Sequence, residues 1–537
     1  MVATESVRAC TNCGAQLSRY NPAELCAKCG RSGSASKPVV PPQSIPSLRE
    51  AWLYVGRTEI APPDGSNVGD LFRAYRATNN LTQGDLAAVL GFDQSYVSMV
   101  ERGKRVIRDI GELRRVASKL GIAHDELGLV PVPREDSLPG EVADLANVSS
   151  AAGEPVGDDQ RQWRMARRAL NQHRNELSRA AKALYPQFEG VRGVLSRSDW
   201  MAEIPVPLDR IQLSWLGRMD APYVIGSEPQ SSDVRPLISA GTRFERYSRA
   251  IRAIERPSLF ENRVSFRLAT AEWTPTGAYL GFGYTTYFDM VDVCEAAAHE
   301  LAAAWLASGQ SGDWLNSPAW SRLPFRSLIG DPFDLARRAL LPSIDTLTIR
   351  LGSDGASFLL HRREAANVAL AGGYYHIMPA GVFQPSTLAP WDQSNDFDLW
   401  RNMMREYSEE FLGMPEADGS SGEPIDYAHT EPFRSLNDAK ASGSLRSYCF
   451  GICLDPLTLA GEILAVVVIE ADVYDRIFSG LVSTNSEGSV VAASPSLSAG
   501  IPFNEQNIRR LLDDEPLAPA AAACLDLAWQ HRHLLID

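Results

Sequence analysis

The chain is 537 residues long, with 45% apolar and 22% charged side chains and a formal net charge of −14. That length exceeds what one hydrophobic core usually supports and the composition is globular, so three or four folded domains are expected. The acid excess excludes a basic coat for nucleic acid, eight cysteines are too few and too unevenly placed for a disulfide framework, and the longest apolar run, Ile463 to Ile469, falls far short of a membrane span. The opening MVATESVRACTNCG has no apolar stretch after a basic start, so a cytoplasmic protein without membrane contact is expected.

Residues 1–35 carry Cys10-Thr-Asn-Cys13-Gly and Cys26-Ala-Lys-Cys29-Gly, with twelve residues between the pairs. Two such knuckles place four thiolates tetrahedrally around one zinc ion, and the glycine after each pair lets backbone amides approach sulfur. The arrangement resembles a zinc ribbon, whose closed four-thiolate site is structural rather than catalytic. The other cysteines, Cys294, Cys449, Cys453 and Cys524, sit in helical or strand patterns and read as buried thiols. Residues 36–64, beginning within RSGSASKPVVPPQSIP, form a Ser- and Pro-rich linker.

Residues 65–129 are the most directly legible part. Apolar residues recur at helical spacing as Val68, Leu71, Phe72 and Tyr75, then Leu81, Leu86, Val89 and Leu90, then Tyr96, Val97 and Val100. Thr82 with Asp85 three residues on makes a weak capping box, Gly91 ends the second helix, and the third begins near Asp93. Two helices around a tight glycine turn form a helix-turn-helix, and the polar face of the later helix offers Gln94, Ser95, Tyr96 and Ser98. From Asn67 to Leu120, nine Lys and Arg against six Asp and Glu give a net +3. The run LTQGDLAAVLGFDQSYVSMVERGKR, followed by a fourth helix near Ile110 to Leu120, resembles the lambda-repressor-like (Cro, XRE) DNA-binding family. That resemblance implies recognition positions at Gln83, Gln94, Ser95, Tyr96 and Ser98, and phosphate contacts from Arg102 and Lys104.

Residues 130–160 read as a second polar linker and 161–340 as an α+β domain of unassigned role. It opens with a long helix from Arg161 to about Tyr185, whose arginines mark a solvated basic face or one that packs on an acidic partner surface. RVSFRLATAEW and AYLGFGYTTYF around a Pro-Thr-Gly turn read as a hairpin, and Val291 to Leu306 as an Ala-rich helix. Within that helix His299-Glu300 begins a metalloprotease-like order, but Ala303 occupies the second histidine position; Glu295 and His299, four apart, read as a helix-surface pair.

Residues 341–537 follow a strand, turn, strand pattern through TLTIRLGSDGASFLL and YYHIMPAGVFQP, then a helix DFDLWRNMMREYSEEFLG and a long strand GEILAVVVIEAD. Glu406, Glu409 and Glu410, at i, i+3 and i+4, place carboxylates on one helical face, as a hard cation such as Mg²⁺ requires. The order resembles the Nudix fold, with Arg405 to Glu410 matching its REUxEE helix, and implies an α/β domain acting on a nucleotide-like ligand. The match is interrupted: Thr387 stands where the first box glutamate belongs, about ten residues are inserted before Arg405, and Leu412 replaces a glycine. The interruption favours ligand binding or a structural role over catalysis.

The expected protein is therefore multidomain: a small zinc ribbon, an all-α helix-turn-helix bundle, an α+β middle region and an α/β Nudix-like C-terminal domain. It is expected to bind double-stranded DNA sequence-specifically as a homodimeric transcription regulator. A nucleotide-like ligand at its C-terminal region would alter half-site spacing. A Mg²⁺-dependent nucleoside diphosphate hydrolase with a DNA-targeting module and a non-catalytic scaffold stay open as alternatives.

Overall fold

The computed structural model describes residues 68–122, 154–188, 190–217, 219–257, 260–363, 374–387, 390–416, 424–482, 488–491 and 500–536. Cys10, Cys13, Cys26 and Cys29, the linker 36–64 and most of the linker 130–160 lie outside these residues.

The N-terminal bundle has four helices: α1 (Val68–Asn79), α2 (Gln83–Leu90), α3 (Gln94–Glu101) and α4 (Ile110–Leu120). Thr82 and Asp85 complete the capping box of α2 in both directions, and Gly91 ends it at φ 73°, a conformation that glycine adopts without strain. Asp109 caps α4 by accepting the Glu112 N–H. The core is formed by Leu71, Phe72, Tyr75, Leu86, Leu90, Val97, Val100, Leu113 and Val116, joined by Val264 from further along the chain. The expected helices are all present at the expected places.

The remainder begins earlier than the sequence suggests. Helix α5 (Glu154–Gln172) starts within the expected linker, because Pro155 falls in the first turn, where a missing N–H costs nothing. Asp159 and Gln160 then anchor it, accepting from the Leu237 N–H and donating to the Leu237 carbonyl. The long helix expected through Tyr185 is two helices, broken at His173, with α6 spanning Arg174–Ala183. The short strands β1 (Met201–Pro207), β2 (Ile211–Trp215), β3 (Leu237–Ser239) and β4 (Thr242–Arg243) follow, then α7 (Tyr247–Ile254) and the hairpin β5 (Val264–Thr274) and β6 (Gly277–Thr286). A π-turn (Val291–Glu295) leads into α8 (Ala296–Ala307).

The C-terminal part contributes β7 (Pro342–Gly352), β8 (Gly355–Phe358), β9 (Leu360–Arg363), β10 (Tyr375–Ile377), β11 (Ala380–Val382), α9 (Leu399–Glu406), α10 (Phe433–Ser442), β12 (Leu445–Leu454), β13 (Gly461–Glu470), β14 (Gly488–Val491), β15 (Ile501–Pro502) and α11 (Pro519–Gln530). Its main sheet runs β1-β12-β13-β7-β8-β15, with β11 beside the first half of β7; β13 and β7 are parallel and the other pairs antiparallel.

Along β13 the side chains alternate between two cores. Leu464, Val466 and Val468 pack with Cys524 and Leu525 of α11, whereas Ile463, Ala465, Val467 and Ile469 join the core that holds Met403 and Met404 of α9. Helices thus cover both faces of the sheet, which is why this run is uniformly apolar. The sheet crosses the expected boundary at 340–341, since β1 pairs with β12, and one core extends from Trp163 to Phe478.

One further expectation is corrected. Glu295 and His299 are not a surface pair: they are 1% and 2% exposed, because α8 is apolar around its whole circumference and packs inside the protein. His299 Nδ1 meets the Tyr247 hydroxyl at 3.0 Å, and burial, then the charge of Arg167, lower its pKa to about 3. The cysteines at 294, 449, 453 and 524 are buried free thiols, as expected. Burial pushes Cys294 up to about 11 and Cys449 to about 12, so both are protonated at neutral pH.

Candidate nucleic-acid interface

Helix α3 is positioned from beneath by Val97 and Val100, which are fully buried. Three to four residues per turn then fix what lies opposite: Gln94 and Ser95 are exposed at its N-terminus, while Tyr96 and Ser98 are half-buried. Asp93 precedes the helix without making a side-chain cap, although its carbonyl accepts the Tyr96 and Val97 N–H groups. Arg102, Lys104 and Arg105 follow at its C-terminal end, all exposed. Arg102 Nε donates to the Ser98 carbonyl at 3.0 Å, which leaves the rest of its guanidinium outward.

Glu101 holds the unit together. It is 4% exposed, and it accepts from Arg76 Nε at 2.6 Å, from Arg76 Nη2 at 2.9 Å and from Gln83 Nε2 at 2.7 Å. One carboxylate therefore ties α1, the start of α2 and the end of α3. Gln83, expected as a recognition position, already commits one amide hydrogen to this link, which leaves its second amide hydrogen and its carboxamide oxygen for a ligand.

Tyr96 is held between two partners. Its ring lies 4.7 Å from Phe92, and the Arg105 guanidinium stands over it at 4.8 Å. Burial raises its phenol above the ordinary value, partly opposed by Arg105. Arg105 is thus fixed at the edge of the exposed face, beside the two cations expected to meet phosphate. Its place in ERGKR was the available sequence signal, but only its ring contact distinguishes it from a free surface arginine.

Geometrically the unit offers donors and acceptors on a protruding helix end, flanked by three cations. That combination suits base edges in a major groove bordered by phosphates.

The second expected site is less coherent. The three glutamates of the α9 region do not share a face, because α9 ends at Glu406 and Tyr407–Phe411 forms a π-turn that shifts the later residues in phase. Glu406 lies directly against Gly381, where a Cβ would stand 2.0 Å from its carboxylate, and Glu410 accepts the Ala380 N–H at 3.3 Å. Both therefore meet β11. Glu409 has different neighbours: burial and then Glu416 push its pKa to about 7, opposed by Arg405, Arg263 and Arg108. Arg405 is buried, donates to the Gln384 carbonyl and lies 3.9 Å from Asp396. Among the described residues no group of three or more His, Cys, Asp or Glu is placed to hold a metal ion.

Residues 67–129 match a family model described as a helix-turn-helix domain. The matched region is of the XRE/Cro type and implies DNA binding. No curated protein matches the chain. Among the described residues no helix is long and apolar enough to cross a membrane.

Proposed function

We propose that this chain is a sequence-specific transcription regulator that binds double-stranded DNA as a homodimer. Helix α3 enters the major groove, Gln94 and Ser95 meet base edges, Gln83, Tyr96 and Ser98 support that contact, and Arg102, Lys104 and Arg105 neutralise phosphates. The observation that carries this reading is the exposed polar start of α3 followed at once by three exposed cations, on a bundle with the helix-turn-helix match. Cys10, Cys13, Cys26 and Cys29 hold a structural zinc ion, which metal analysis of the purified protein and of Cys13→Ser would test. The DNA role is tested by anisotropy titration of duplex DNA at several salt concentrations. A salt slope near zero would contradict phosphate contacts.

The C-terminal region acts as a Nudix-like regulatory domain that senses a nucleotide-like ligand. In support, helices cover both faces of a mixed sheet containing the parallel pair β7 and β13, and Glu406 and Glu410 abut β11 at Gly381 and Ala380. Gly413, one place beyond the family's glycine position, takes φ 61°, a one-residue displacement that the π-turn accounts for. The placement of Glu406 and Glu410 against β11 keeps a hydrolase as the second reading. Mg²⁺-dependent phosphate release from nucleoside diphosphates that disappears in Glu410→Gln would favour it; no release would leave the sensor.

A further inference from the structure

The helix-turn-helix bundle is not a free module. Asp109 Oδ1 caps α4 at 2.8 Å from the Glu112 nitrogen, while Oδ2 accepts the Asn262 N–H at 2.8 Å and a hydrogen bond from Arg252 of α7. The Ile110 N–H returns to the Asn262 carbonyl at 2.9 Å. One helix cap thus doubles as a strand-like clasp onto the segment before β5.

A second link lies alongside. Glu416 accepts from Arg108 at 2.5 Å and from Arg263 at 2.5 and 3.0 Å, so one carboxylate bridges the bundle and the body. Burial pushes the Glu416 carboxyl up, but hydrogen bonds and charge from Arg263 and Arg108 outweigh this and hold it below the usual range. Between the two links, Val264 joins the bundle's apolar core with Tyr284 packed against it.

The clasp touches the DNA-binding machinery at two points. Arg108 lies three residues beyond Arg105, in the same cationic exit from α3, and Glu416 neutralises it. Exposed Glu261 of the body lies within electrostatic range of Tyr96 on α3 itself. The region 67–120 carries +3 in a chain of −14, and in the docked arrangement the body sets Glu416 on Arg108 and Glu261 near Tyr96, beside the face that must meet phosphate. Glu416 also lies six residues beyond Glu410, on the segment that leaves the proposed sensor helix. The dock relies on hydrogen bonds and ion pairs with few apolar contacts, which is the composition of an interface that opens.

The geometry points to an autoinhibitory dock: the contacts Asp109–Arg252–Asn262 and Arg108–Glu416–Arg263 hold the DNA-binding bundle against the acidic body and lower its affinity for DNA. This rests on the DNA-binding reading above. Release of the dock frees Arg108 for a phosphate and moves Glu261 away from α3. A ligand that displaces the segment after Glu410 would release it through Glu416.

The test uses the full-length chain, labelled double-stranded DNA of random sequence, and the variants Glu416→Gln and Arg252→Gln. Arg252→Gln leaves the Asp109 cap and the hydrogen bonds of Asn262 with Asp109 and Ile110 in place, so the bundle keeps its fold. It also removes a positive charge, so tighter binding by this variant cannot arise from net charge alone. Both variants should bind about threefold to tenfold more tightly at low salt, with a salt slope steeper by about 1 in Glu416→Gln as Arg108 gains a phosphate. The amides of Ile110 and Asn262 should exchange faster in both. Adding Arg108→Ala to Glu416→Gln should return the slope to that of the parent. Unchanged or weaker binding by both variants, with or without faster exchange, would overturn the dock as inhibitory. Absence of DNA binding by parent and variants alike would instead overturn the DNA-binding reading, and inhibition with it.

Discussion

Arg76 and Glu101 are joined by two hydrogen bonds, 2.6 and 2.9 Å, that span the bundle from α1 to the end of α3. The pair fixes the angle of the helix that is proposed to enter DNA. Its carboxylate is almost fully buried, so no water replaces the lost partner when either side chain is cut.

Glu101→Gln should therefore lower the stability of the bundle by about 1.5–3 kcal/mol, the range for hydrogen bonds to a charged group. Hydrogen exchange at the amides of α1 and α3 measures this directly. Because Glu101 also holds Gln83, sequence preference should fall along with stability. Protection equal to the parent would show that the pair carries no net stabilisation.

Base and phosphate contacts should separate by substitution. Gln94→Ala and Ser95→Ala should each reduce discrimination against altered sites by about 1–3 kcal/mol while leaving binding to unrelated sequence nearly intact. Arg102→Ala and Lys104→Ala should weaken binding to all sequences and reduce the salt slope by about 1 each. Loss of discrimination in the Arg102 and Lys104 variants would reverse these assignments.

Asp292 provides a pH test of the body. It lies in the π-turn before α8, accepts the Ser248 N–H at 2.6 Å, and burial lifts its pKa from 3.8 to about 7 against the Ser248 hydrogen bond and the charge of Arg246. A carboxyl raised on folding costs nothing below its unfolded value, costs progressively more from 3.8 to about 7, and costs the full amount above. Asp292→Asn should then stabilise the protein by on the order of 1–3 kcal/mol near pH 8 and change little near pH 4. Equal effects at the two pH values would place the charge of Asp292 elsewhere in the balance.

The contact of Gly381 with Glu406 can be tested by a double-mutant cycle. An added methyl at 381 would meet the Glu406 carboxylate, so Gly381→Ala alone should cost about 1–3 kcal/mol of thermal stability. In the background of Glu406→Ala the same change should cost under about 1 kcal/mol. Additive costs would mean that Glu406 yields freely at that position.

The bundle was legible because its signals are local. Thr82 with Asp85, Gly91 and the spacing of Leu86, Leu90, Val97 and Val100 each act within one or two turns, and each is found where the sequence places it. What the sequence obscured depends on distant partners. Nothing near Met201 signals that β1 pairs with β12, some 250 residues away, so the core reads as two domains until the pairing is seen. Pro155 reads as a linker residue although it opens α5. Glu295 and His299 read as surface residues because a four-residue spacing does not reveal that α8 is enclosed on all sides. The π-turn at Tyr407–Phe411 cannot be inferred from a motif, yet it decides which glutamates share a neighbour. Gln83 and Arg105 were both in view, but their partners Glu101 and Tyr96 define what they can do.

The central claim is tested most directly by selecting bound sequences from a random pool of duplex DNA with the full-length protein at physiological salt. A sequence-specific homodimer should enrich a palindromic motif whose half-sites repeat at about one helical turn, 10–10.5 base pairs, or a multiple of it. Recovery of DNA without any enriched motif, or of no DNA at all, would contradict the account.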